Sequence, residues 1–250
     1  MRSEGRNDSE TARHLFALAR NRIASAIKHT LLPAFIRRPE MLLFSLLILV
    51  FNAPLLVGSC WHVMMFHPEA VRQGQWWRLF THPWVHLTWY HLLLDGSAFF
   101  ILYHSLLEKN LLRRLAYVFA AAAGSLLFSW AGPNSAYGLC GLSGTAHGLM
   151  AISASELIST QQPNSPEWRV GLAAFGLVVA KAAYEAITGH MFFAFLDFGL
   201  LGKPISVAHA GGIIGALAMM LLCHLFAPHS TFLLCFQLPR KTCVVSETRH

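Results

Sequence analysis

Apolar residues fall into six long runs, at about 41–59, 86–106, 112–131, 141–160, 169–190 and 206–227. Each approaches the roughly 20 helical residues that a bilayer core requires. A chain in lipid must satisfy its backbone polar groups internally, so these runs predict helices. The pattern as a whole predicts an all-α membrane protein with six transmembrane helices. Apolar 231–237 is too short for a seventh. The polar stretches divide the chain into a basic tail at 1–40, a six-helix unit at 41–227 and a C-terminal tail at 228–250. Within the first tail, Leu15, Leu18, Ile23 and Ile27 lie among Arg13, Arg20, Arg22 and Lys28. That spacing fits an amphipathic interface helix and a solvated basic tail equally well. No typical cleavable signal peptide precedes the first run.

Composition agrees with a membrane setting: 55% of the residues are hydrophobic and 12% charged. The basic residues add an orientation. Eight Lys/Arg lie in 1–40, followed on alternate loops by Lys109, Arg113 and Arg114, then Arg169, then Arg240, Lys241 and Arg249. The opposite loops hold Arg72, Arg78 and Lys203. This bias places both termini in the cytoplasm, for a bacterial chain at the inner membrane. The net charge of +7 is then explained by topology and anionic lipid, with no call for nucleic acid. Cys60 and Cys140 fall on the outer side, where a disulfide is permitted. Cys223, Cys235 and Cys243 belong to the cytoplasmic side.

This topology gathers the unusual polar residues at one depth. His86, His91 and Asp95 begin the second run, Ser143 and His147 the fourth, and His209 the sixth. Polar groups are costly in lipid and face a bundle interior or a wet cavity. Gly144-x-x-x-Gly148 and Gly211-x-x-x-Gly215 are small-residue faces that let two helices approach closely. A serine is a weak nucleophile until a base takes its proton. His209 fits that base for Ser143, at a separation of about 2.6–3.2 Å. No carboxylate in the sequence stands out as a partner for His209, so a Ser-His dyad is expected. Free N–H groups at the helix start, around Gly141, Leu142 and Ser143, would stabilise an oxyanion, with His91 as a side-chain donor.

The chain resembles the rhomboid intramembrane serine proteases. The matching residues are Trp77-Arg78, His86, His91, Glu108, Gly141-Leu142-Ser143-Gly144 and Ala208-His209-Ala210-Gly211-Gly212. The resemblance implies a six-helix rhomboid fold, Ser143 as nucleophile and His209 as general base. It also implies a loop at 60–85 lying partly in the outer leaflet, where Trp76, Trp77 and Trp84 suit an interface. Rhomboids commonly carry Asn where this chain has Asp95. An amide can donate to an oxyanion, whereas an ionised carboxylate only accepts. Asp95 therefore either carries a proton or orients His91, one helical turn away. Many rhomboids have a tyrosine packed on the catalytic histidine where this chain has His147, which is expected to line the site.

The Ser-Gly-x-x-His-Gly form, with Lys181 and Glu185 in the fifth run, resembles the rhombosortase branch. The substrates this implies are single-pass proteins ending in a Gly-Gly motif, a hydrophobic helix and a basic cluster. Lys181 and Glu185 are then either a self-neutralising ion pair or recognition groups for a polar tail. Other single-pass substrates are the alternative. A non-catalytic client-binding relative would be expected to lack the serine or the histidine. A metal centre is not expected, because Pro83 breaks the His82–His86 spacing and no second cluster completes a shell. A transporter would be expected to show inverted repeats and broken helices. No cofactor is implied.

Overall fold

The computed structural model describes residues 38–132, 138–193, 195 and 205–226. Most of both tails, including the stretch at 10–32, lies outside the described residues, as do Lys203, Cys235 and Cys243. Helix α1 spans Glu40–Asn52 and runs on as a 3-10 turn over Ala53–Val57. Two short helices follow in the loop, α2 at Pro68–Arg72 and α3 at Arg78–Thr81. The remaining helices are α4 (Trp89–Ser105), α5 (Leu111–Ala131), α6 (Ser143–Thr160), α7 (Pro166–Thr188) and α8 (Val207–Leu225).

Four segments are long and apolar enough to cross a membrane: α1 with its 3-10 extension, α5, α7 and α8. The chain is thus an all-helical, multi-pass membrane protein. Helices α4 and α6 fall outside that group for physical reasons. Helix α4 has 17 residues, because the second apolar run does not start as a helix. His86 and Leu87 precede it, and the Thr88 side chain accepts from His91 N at 3.1 Å, setting the helix start beyond them. Helix α6 carries Ser143, Thr145, His147, Ser153, Ser155 and Glu156 among its apolar residues. These two helices hold His91, Asp95, Ser143 and His147 among the polar residues singled out from the sequence.

Local sequence explains the ends. Asn110 Oδ1 accepts from Arg113 N at 3.2 Å, and Ser165 Oγ accepts from Trp168 N at 3.1 Å with Pro166 in the first turn. Gly189, in the left-handed region, closes α7. Where α1 begins, buried Glu40 pairs with Arg114 and accepts from Tyr103 Oη at 2.8 Å. Glu156 accepts from the amides of Leu107 and Glu108 at 2.6 and 2.9 Å, holding the α4–α5 turn.

Helix α8 is wedged between α5 and α6, backbone against backbone. A Cβ on Gly211 or Gly215 would collide with Gly124 O or Ala120 O of α5. A Cβ on Gly212 would collide with Gly144 O, and one on Gly148 would lie 2.6 Å from Gly212 O. The sequence pairs Gly211 and Gly215 with the α6 glycines. The structure corrects this: those two residues face α5, and Gly212 is the one that meets α6. Small residues on all three helices permit the close approach.

Candidate active site

The loop between α1 and α4 is pinned to the segment that precedes α6. Phe66 and Leu139 form an antiparallel bridge, with both N–H···O distances 2.9 Å. Arg78 is buried and donates to His62 O at 2.8 Å, to Met65 O at 2.5 Å and to Gln75 Oε1 at 2.7 Å. Trp77 Nε1 donates to Val63 O at 3.0 Å. Asn52 ties α1 to the same region, donating to Trp84 O at 2.7 Å and accepting from His86 N at 2.9 Å.

Gly141 sits at φ +91°, where other residues are strained. A Cβ there would lie 2.7 Å from both Asp95 Oδ2 and His91 Nε2. Its N–H donates to His82 O at 3.0 Å, so it is not free to hold an oxyanion. Leu142 is fully buried in the core with Phe99 and Leu149. Gly141 and Leu142 therefore shape the turn. The first amide of α6 with a backbone acceptor is Ala146, bonded to Leu142 O at 2.8 Å. Among the described residues, the N–H groups of Ser143, Gly144 and Thr145 have no acceptor, as a helix N-terminus leaves them.

A cavity of about 460 Å³ opens here, lined by Ser143, His147, His209, His91, Asp95 and Lys181 among others. The residues expected from α4, α6 and α8 thus meet in one space. Among the described residues Ser143 Oγ makes no hydrogen bond to His209. Such contacts are often loose without a substrate. His91 Nδ1 accepts from Leu87 N at 3.4 Å, which leaves Nε2 as the protonated nitrogen, 3.2 Å from Asp95 Oδ2. Asp95 Oδ2 thus faces His91 Nε2 across that distance. His86 Nε2 lies 3.7 Å from the same oxygen.

The expected dyad is incomplete in one respect: a carboxylate does reach His209. Glu185 Oε2 lies 2.6 Å from His209 Nδ1, and the Glu185 side chain is 0% exposed. Its Oε1 accepts from Lys181 Nζ at 2.7 Å and from Phe192 N at 3.0 Å. The Lys181–Glu185 pair is real, but only one of its two carboxylate oxygens serves it. Lys181 Nζ also lies 2.9 Å from His147 Nε2, while His147 Nδ1 lies 2.7 Å from Ser143 O. The carbonyl can only accept, so His147 donates from Nδ1 and receives the ammonium at Nε2. Its ring stacks on His209, with centroids 4.0 Å apart and planes 10° from parallel.

His147, Glu185 and His209 present ligand atoms within 4.8 Å of one another, a spacing that could hold a metal ion. The Lys181 ammonium is already shared between His147 and Glu185, so a cation occupies two of the three donors. A dication beside it would meet like-charge repulsion. Cys60, Cys140 and Cys223 are free thiols.

The rhomboid domain profile matches residues 73–226. The chain belongs to the rhomboid family. No curated protein and no solved structure matches it. Membership in the rhomboid family suggests an intramembrane serine protease, and the matched segment contains Ser143, His147, Lys181, Glu185 and His209.

Proposed function

We propose that this rhomboid is an intramembrane serine endopeptidase in which Ser143 is the nucleophile and His209 the general base. The observation that carries this reading is the placement of Ser143 at the open start of α6 and His209 at the start of α8, on one cavity. The glycine contact between α6 and α8 sets their spacing. Ser143 Oγ attacks the substrate carbonyl carbon while its proton passes to His209 Nε2. The carbonyl electrons move onto oxygen, where the unbonded amides at the α6 N-terminus donate to it. Collapse breaks the C–N bond, and the amine leaves with the proton from Nε2. Water then cleaves the acyl-serine by the same route, returning the proton to Ser143.

The six apolar runs, with both termini cytoplasmic, put this centre near the outer membrane boundary. The substrates are single-pass proteins. A transmembrane helix hides its carbonyls in its own hydrogen bonds, so Gly residues at the cut favour attack. The Ser-Gly-x-x-His-Gly form supports rhombosortase-like Gly-Gly tails as the substrate class. The inward engagement of both Glu185 oxygens favours a second reading, a rhomboid with other single-pass substrates, because it leaves Glu185 no free oxygen for a tail.

Ser143→Ala and His209→Ala should each abolish cleavage of a transmembrane reporter in folded protein; turnover by either variant would refute the assignment. Mass spectrometry of secreted proteins from a deletion strain separates the substrate readings. Retained Gly-Gly tails support the first, and normally trimmed tails beside other uncut single-pass proteins support the second.

A further inference from the structure

We propose that Glu185 is the positioning residue for His209, making the hydrolytic centre a Ser143–His209–Glu185 triad whose acid is shared with Lys181. This rests on the assignment of Ser143 and His209 above. The contact at 2.6 Å requires His209 to donate from Nδ1, because an ionised carboxylate only accepts. That fixes the tautomer and leaves the lone pair on Nε2, the nitrogen that must take the serine proton.

The environment is arranged for a charged acid. A buried carboxylate with no partners would be too costly to ionise. Glu185 has three donors: His209 Nδ1, Lys181 Nζ and Phe192 N. With His209 neutral, Lys181 and Glu185 cancel. When the serine proton reaches His209, the centre gains one positive charge as the substrate oxygen gains one negative charge. Glu185 lies against that new positive charge.

The other groups facing His209 do not replace it. From α6, His147 has both nitrogens engaged and offers only its ring face. From α4, Asp95 shares the cavity but lies 3.2 Å from His91 Nε2, and that pair faces Gly141. From α5, Gly124 and Phe128 lie against Gly211, two residues from His209, and neither titrates. The loop after α7 contributes the Phe192 amide to the same carboxylate.

The alternative is that Glu185 only neutralises Lys181. The two roles differ in their effect on the acid limb of the pH–rate profile, where His209 must lose its proton to act. An adjacent anion stabilises the imidazolium, so removing the anion moves this limb to lower pH. Cleavage of a transmembrane reporter by the full chain in proteoliposomes, measured against pH, tests this. Glu185→Gln should lower kcat by about 10²–10⁴-fold with little change in KM, by analogy with amide replacement of a triad acid. Its acid limb should move to lower pH. Glu185→Asp keeps the charge and should exceed Glu185→Gln in kcat. Lys181→Met removes the cation, leaves the carboxylate to His209 and the Phe192 amide, and should move the limb to higher pH. A Glu185→Gln enzyme within threefold of the native kcat and with the native acid limb overturns the proposal, provided Ser143→Ala and His209→Ala are inactive. Activity in either of those two instead overturns the serine-protease assignment. If Glu185→Gln does not fold, an unmoved acid limb in Lys181→Met overturns the positioning role.

Discussion

His147 and His209 lie ring on ring, centroids 4.0 Å apart, although they belong to α6 and α8. The stack fixes the plane of the proposed base from one side while Glu185 fixes its rotation. Aromatic pairs contribute about 0.5–1.5 kcal/mol beyond buried area. His147→Phe keeps the stack and should retain activity within about threefold. His147→Ala removes it and should lower kcat by up to about tenfold, since 1.36 kcal/mol corresponds to a factor of ten. Kinetics on the two purified variants check this. If His147→Phe were as inactive as Ser143→Ala, His147 would have a chemical role.

Gly212→Ala forces a methyl group into Gly144 O. Overpacking of this kind costs about 1–3 kcal/mol, and here it also separates the two helices that bear Ser143 and His209. Activity should fall by more than tenfold, with a lower melting temperature in detergent. Gly176→Ala, where a Cβ meets nothing within 4 Å, is the control and should leave both unchanged.

Asp95→Asn should keep activity within about threefold, because an amide oxygen at that place also faces His91 Nε2 as an acceptor. Asp95→Leu removes that acceptor and should cost at least tenfold. Reporter cleavage at fixed pH distinguishes them. Strong loss in the Asn variant would show that a negative charge is required.

Cys60, in the loop after α1, tests orientation. Burial raises its thiol above the ordinary range. The thiolate is the reactive form, so labelling by a membrane-impermeant maleimide should be slow at neutral pH. It should climb about tenfold per pH unit until the raised pKa is reached. In intact right-side-out vesicles, labelling should proceed at that rate. Labelling that requires permeabilised vesicles would place this loop on the cytoplasmic side.

Much of this architecture is legible in the sequence, since it depends on period and depth. Ser143, His147 and His209 each stand near the start of an apolar run. The structure brings them onto one cavity. The Glu185 contact is not legible in the same way. Helical spacing puts Lys181 and Glu185 on one face, and an ion pair at that spacing looks self-sufficient. Nothing local says that a carboxylate has a second oxygen turned toward a different helix, 24 residues onward. Helix pairing was ambiguous for a related reason. Small residues on α8 mark a close approach but not to which neighbour. Ala120-x-x-x-Gly124 on α5 was the available signal that a second helix competes for Gly211 and Gly215. The late start of α4 turned on a single side-chain cap at Thr88, within an apolar stretch that otherwise reads as continuous.

The seam of glycines along α8 also draws a map for anyone wishing to reshape the proposed active site. Side chains on its two occupied faces cannot be diversified without moving His209 itself. Met191 and Phe193, in contrast, reach the cavity from outside that seam. A library confined to such positions would reshape the cavity wall while Ser143 and His209 stay where they are.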